Sequence, residues 1–136
     1  MIEVKTVSPD ILHEVWPTVE PMLKRSVEAS MNDYNIDHMK LYILNRSLTL
    51  VVAVENEVII GAGTLQINNQ PNFKVVTITA TGGRGIANKE VFTQIEQWAK
   101  ANGASKVRLF AKEAQARLYR MKLGLNSQMH IMEKSI

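Results

Sequence analysis

The sequence predicts a mixed α/β chain with one central sheet and helices on both of its faces. Three observations carry this. The 136 residues are 46% hydrophobic and 21% charged, a globular composition long enough for one domain, residues 1–136, and too short for two of ordinary size. Apolar periodicity switches between two and 3.6 in the order β, α, α, β, β, β, α, β, α, β. Between residues 73 and 111 a strand, a glycine-rich turn, a helix and a second strand follow one another, a β-α-β unit whose strands are expected to be parallel neighbours.

Residues 2–7 alternate apolar and polar and read as the opening strand. Ser8-Pro9 is a helix start, with a cap and then proline at the first position. Pro17 and Pro21 interrupt the following pattern, so a broken or kinked helix is expected to about residue 30. After a turn at residues 32–35, a second helix covers residues 36–44. It has Ile36, Met39, Lys40 and Ile43 on one side, with Lys40 snorkelling from that face.

Residues 48–54 are a nearly continuous apolar strand, 55–57 a tight connection and 58–67 the hairpin partner. Gly61 and Gly63 inside that partner predict a bulge or a close backbone approach. Residues 68–72 are a turn. Residues 73–80 are apolar or threonine on both faces, as in a central strand covered on both sides. Residues 81–85, Thr-Gly-Gly-Arg-Gly, break the strand, and a helix starts near 86–88. Val91, Phe92, Ile95, Trp98 and Ala99 form its apolar stripe, and Gly103 supplies a left-handed exit. Residues 107–111 are a short strand. Residues 112–121 are a helix with Ala114, Leu118 and Met121 inward, and 123–125 its exit. Residues 130–134 are expected to close the sheet as a hairpin on 107–111.

Several function classes are excluded. Without cysteine there is no disulfide framework, thiol nucleophile or Cys-ligated metal site. His13, His38 and His130 have no ligand spacing, so no metal is expected. No apolar run approaches the roughly 20 residues of a spanning helix, and Met1-Ile2-Glu3-Val4-Lys5 is no signal peptide, so a cytoplasmic protein without membrane attachment is expected.

The net charge of +3 is uneven. Residues 1–80 hold 6 basic and 9 acidic residues, net −3; residues 101–136 hold 7 and 2, net +5. Such a patch attracts a nucleotide-bearing cofactor or nucleic acid, or is a solvated helix face. The basic residues carry no aromatic interleaving of the single-strand-binding kind, which argues against nucleic acid. The glycine-rich stretch is the most informative. It is neither a Walker A loop nor a Rossmann fingerprint. It reads either as a structural turn or as a phosphate cradle at a helix N-terminus, with Arg84 adding a bidentate hand.

The C-terminal half resembles the GCN5-related N-acetyltransferase (GNAT) superfamily. The family's turn motif has Arg or Gln, two free positions, Gly, one free position, then Gly or Ala. Gly85 and Ala87 match its last two fixed positions, and Gly82 stands where Arg or Gln is usual. The second signature looks like Ala114 or Ala116, Leu118-Tyr119 and Gly124-Leu125, with one extra residue before Gly124 and Leu in place of Phe. The chain is also similar to small GNAT-like proteins of tailed phages. The resemblance implies the GNAT acyl-CoA N-acyltransferase fold and acetyl-CoA as cofactor. The pyrophosphate would lie on Gly83, Gly85, Ile86 and Ala87, and the pantetheine arm along Thr77, Ile78, Thr79 and Ala80, where two strands splay. It implies Tyr119 as the acid that protonates the leaving thiolate, the alternative being an aromatic packing residue.

No acidic residue lies between 73 and 81, where many relatives keep a base; Glu55, Glu57 and Glu113 read as solvated or first-turn charges, and His38 as a weaker candidate. The expected function is acetyl transfer to a small-molecule or protein amine, with the acceptor bound by residues 16–44 and a homodimer allowed. The rival is a GNAT-shaped binding or virion-associated protein without catalysis, facing an acidic partner or nucleic acid.

Overall fold

The computed structural model describes residues 1–31, 33–84 and 87–136. Strand β1 (Glu3–Val7) leads into a 3-10 turn (Pro9–Ile11), capped by the Ser8 hydroxyl, which accepts from the Asp10 amide at 3.2 Å. Helix α1 (Leu12–Glu28) then runs unbroken through Pro17 and Pro21, so the expected interruption is absent. Both prolines are exposed and sit four residues apart. The carbonyls of His13 and Pro17, which they leave without an intrahelical donor, therefore lie on the water side. Leu12, Trp16, Val19, Leu23 and Val27 are buried on the other side. Helix α2 (Ile36–Leu44) has the expected bounds. It buries Met39 and Ile43, and Lys40 Nζ lies 5.9 Å from the centre of the Trp16 ring.

Strands β2 (Thr49–Glu55) and β3 (Val58–Asn69) form a hairpin around Asn56 and Glu57. Their φ angles of 51° and 65° make the turn that matches strand twist. Strand β4 (Lys74–Gly83) follows, then helix α3 (Lys89–Ala101), strand β5 (Lys106–Leu109) and helix α4 (Glu113–Leu123). The sheet order is β1-β2-β3-β4-β5. All pairs are antiparallel except β4 with β5, which are parallel as the β-α-β unit requires. Gly103 exits α3 at φ +87°.

The sheet separates two cores. Leu50, Val52, Ala62 and Ala80 meet α1 and α2; Val51, Ala53, Leu65, Val76 and Ile78 meet the α3 residues Val91, Phe92, Ile95 and Ala99. Strand β2 is buried on both faces, which explains its apolar run.

Three expectations need correction. Residues 81–83 are strand, paired with Gly63, Ala62 and Gly61, so the glycine turn begins later. A Cβ at Gly82 would overlap the Met22 carbonyl oxygen, so glycine lets the α1 backbone close onto β4. Helix α4 turns Ala116, Tyr119 and Leu123 inward, while Ala114 is exposed, Leu118 partly so and Met121 81% exposed. Its apolar residues suit two helical faces. Tyr119, Leu123 and Leu125 packing against the α3 core decides between them. Residues 130–134 form no strand and are exposed, so β5 ends the sheet. With charges at Glu133 and Lys134 and no buried position, the segment has no apolar face to hold it on the sheet.

Candidate active site

Strand β4 builds the site. Its residues Val75, Val76, Thr77 and Ile78 pair with Lys106, Val107, Arg108 and Leu109, and there β5 ends. Opposite, on β3, Thr64 faces Ala80 and Leu65 faces Ile78, so Thr79 is an extra residue, a bulge. A bulge bends its strand and reverses the faces beyond it. Accordingly Ile78 belongs to the α3 core and Ala80 to the α1/α2 core. From residue 79 to residue 83, β4 keeps β3 on one side. On the other, among the described residues, no strand accompanies it.

The bulge carries a chain of hydroxyls. Thr79 Oγ1 donates to the Thr64 carbonyl at 3.1 Å and lies 2.6 Å from Thr64 Oγ1, and Thr64 is fully buried. Tyr34, from the α1–α2 connection, packs against the α1/α2 core with its phenol near Thr79 and meets the Tyr42 ring edge-on at 5.8 Å. Burial raises the Tyr34 pKa above the usual phenol value, and the Thr79 contact offsets part of that.

The expected site residues fall at defined places. Thr77 and Ile78 face β5, and Thr77 donates to Asn68 Oδ1 at 3.0 Å. Thr79 and Ala80 lie beyond the last β5 partner. Gly83 ends β4, and the Arg84 amide donates to the Ile60 carbonyl at 2.9 Å. The Arg84 guanidinium meets Glu55 at 3.3 Å, a single exposed contact. Gly85 and Ile86 lie outside the described residues. Ala87 precedes the cap of α3, where Asn88 Oδ1 accepts from the Glu90 and Val91 amides at 2.9 and 3.3 Å. Tyr119 is half-buried against the α3 core, and burial raises its pKa above the usual phenol value. Tyr34 and Tyr119 thus belong to cores on opposite faces of the sheet.

His38 is committed elsewhere. Its Nδ1 accepts from the Asn35 amide at 3.1 Å and its own amide donates to Asn35 Oδ1 at 2.9 Å, the reciprocal cap of α2. Glu113 pairs with Arg120 at 3.0 Å. Among the described residues, no group of three or more His, Asp or Glu is placed to hold a metal ion.

Solved structures match the chain along its whole length. Aminoglycoside acetyltransferase HMB0005, from an uncultured soil metagenomic sample, has a TM-score of 0.72 at 14% identity, covering 100% of this chain and 99% of that one. Aminoglycoside N-acetyltransferase AAC(6')-Iy, in complex with CoA, has 0.69 at 15%, covering 100% and 95%. A ribosomal-protein-alanine N-acetyltransferase from Brucella melitensis biovar Abortus 2308 has 0.66 at 12%, covering 100% and 98%. The chain has the GNAT acetyltransferase fold. No family model and no curated protein matches the sequence.

Within the GNAT fold, sequence reasoning missed Tyr34, Thr64 and the bulge. Tyr34 lies in a turn, and nothing in its neighbours signals that it reaches a strand 45 positions on. The bulge left no trace in the sequence, where Val76, Ile78 and Ala80 alternate as in a regular strand; only the structure puts Val76 and Ile78 in one core and Ala80 in the other.

Proposed function

We propose that this chain is an acetyl-CoA-dependent N-acetyltransferase acting on a small-molecule or protein amine. The parting of β4 from β5 at the Thr79 bulge, in a fold shared with acetyltransferases, carries this reading. A pantetheine arm has two amides and pairs with a strand edge as another strand would, and residues 79–83 offer it such an edge. The fit to the arm is therefore good.

For the pyrophosphate, the Arg84, Glu90 and Val91 amides already have acceptors, and this reading keeps Gly85, Ile86 and Ala87 as the donors, of which Gly85 and Ile86 lie outside the described residues. The positive charge of residues 101–136 favours the same anion. When bound, the coenzyme supplies the activated acetyl group. Tyr119, a phenol protonated at neutral pH and shifted further from ionisation by burial, suits a proton donor at its Oη and not a base. Tyr34 and Thr79 mark the α1/α2 side, where this reading seats the amine. With no carboxylate on β4, no base is assigned there.

Calorimetry tests the reading. Acetyl-CoA is expected to bind the full chain, and Tyr119→Phe to keep binding while thiol release with a panel of amines falls at least tenfold. Absence of binding at millimolar acetyl-CoA would remove it.

A further inference from the structure

Helix α3 covers the outer edge of β1, and the cover stops one step short. Glu90 Oε1 accepts from the Ile2 amide at 3.0 Å and Gln94 Oε1 from the Val4 amide at 2.8 Å, while Gln94 Nε2 donates to the Ile2 carbonyl at 2.7 Å. In an antiparallel pair every second residue points its amide and carbonyl away from the partner strand. Ile2 and Val4 are such residues, so Thr6 is the next, and its backbone groups also face away from β2. The α3 side chain that follows Glu90 and Gln94 at the same spacing of four is Trp98. An indole offers one donor and no acceptor, so Trp98 cannot take the Thr6 amide as Gln94 takes that of Val4. Among the described residues, the outward amide and carbonyl of Thr6 have no protein partner.

A cavity of about 390 Å³ opens at that point. Thr6 and Pro9 wall it where β1 ends, Arg46 where α2 gives way to β2, and Trp98 from α3; the buried Ile43 and Leu48 back it. Its size lies within the range of about 300–1,000 Å³ usual for small-ligand sites. Its make-up is also that of such a site, apolar side chains around a few polar groups that fix an orientation.

The wall specifies the ligand. The Thr6 amide and carbonyl are a donor and an acceptor in strand geometry, and an extended peptide unit matches both. Trp98 and Pro9 are partly exposed beside them and suit an aliphatic side chain. Of the described residues that line the cavity, Arg46 alone is charged, and it belongs to none of the described ion pairs. The acidic residue next along the chain from Pro9, Asp10, does not line the cavity. The guanidinium is therefore left to pair with a carboxylate.

We propose that this pocket binds a short extended peptide that ends in a free carboxylate. The penultimate residue exchanges hydrogen bonds with Thr6 in the manner of an added strand, the last side chain lies against Trp98, and the carboxylate pairs with Arg46. The pocket is separate from the edge assigned to acetyl-CoA, because β2 and β3 lie between β1 and β4. It binds whether or not the chain transfers acetyl groups.

The probe is acetyl-Ala-Leu with a free carboxylate, titrated into the isotope-labelled full chain without acetyl-CoA and followed by nuclear magnetic resonance. The Thr6 amide and Trp98 indole N–H signals are expected to shift together with a dissociation constant on the order of 1 mM, and exchange of the Thr6 amide with solvent to slow. Two altered probes are each expected to bind about fivefold more weakly or worse. The C-terminal amide has no charge for Arg46, and the N-methylalanine form has no donor for the Thr6 carbonyl. Thr6→Pro removes the outward amide and, at an edge position, leaves the ladder to β2 intact. Arg46 has a φ of 69°, a left-handed backbone that asparagine also adopts, so Arg46→Asn removes the charge without new strain. Both variants are expected to keep the circular dichroism spectrum and lose binding. No shift of the two signals at about 10 mM probe overturns the proposal. So does undiminished affinity for either altered probe, or a folded variant that binds as the unchanged chain does.

Discussion

Gly82 illustrates how much one absent carbon can arrange. Its neighbour is a backbone carbonyl of α1, Met22, which cannot swing aside as a side-chain tip would. Gly82→Ala is expected to cost about 1–3 kcal/mol, read as a lower urea midpoint, because the helix must back away from the strand. By resemblance the position lacked an Arg or Gln; by packing it is where a helix rests on β4. The two phenols make a second prediction at this scale. Burial raises the pKa of Tyr34 and Tyr119 above the usual phenol value of about 10. A raised folded pKa means that the folded chain holds its proton longer than the unfolded chain does. Their contribution is therefore intact below pH of about 10 and is lost as pH rises through the folded value. Melting temperature followed from neutral to strongly alkaline pH is expected to fall on the alkaline side, and less steeply in Tyr119→Phe.

Helix α3 and its approach hold the lesson for elements. Asn88 caps two amides that a bare helix end would offer to an anion. Asn88→Ala is expected to cost about 1 kcal/mol by thermal or urea melting. In α1 the prolines interrupt hydrogen bonding on the exposed face alone, so Pro21→Ala is expected to raise stability, by up to about 3 kcal/mol. Elements whose pattern pointed one way were legible in the sequence: α2 to the residue, the apolar β2, the parallel β4 and β5 around an amphipathic α3. Those whose pattern admitted two answers were not. Helix α4 has apolar residues on two faces, and only its contact with the α3 core chooses Tyr119 over Leu118. Residues 130–134 carry strand-like residues, and composition does not say whether an edge will receive them. Of the candidate site this reading assigns, the β4 stretch and the α4 tyrosine were named from the sequence. The Tyr34–Thr79 contact was not, because it depends on where a turn falls over a sheet.

For the molecule as a whole, charge and connectivity decide the behaviour. If acetyl-CoA binds near the basic residues 101–136, its affinity is expected to fall as ionic strength rises, since salt screens exposed charge within about 10 Å at 0.1 M. Titration calorimetry at two salt concentrations checks this, and a flat response would assign the binding to the strand edge alone. The bonds from Glu90 and Gln94 to Ile2 and Val4 join residues 88 to 92 positions apart. On a ribosome that separation is time. The opening strand emerges first, yet nothing can shield its outer rim until about two-thirds of the polypeptide has been made. Contacts this distant in sequence slow folding and leave a nascent chain exposed to wrong partners. The late helix acts as a latch on the earliest strand, and weakening it, as in Gln94→Ala, is expected to raise losses during synthesis more than losses from the finished protein.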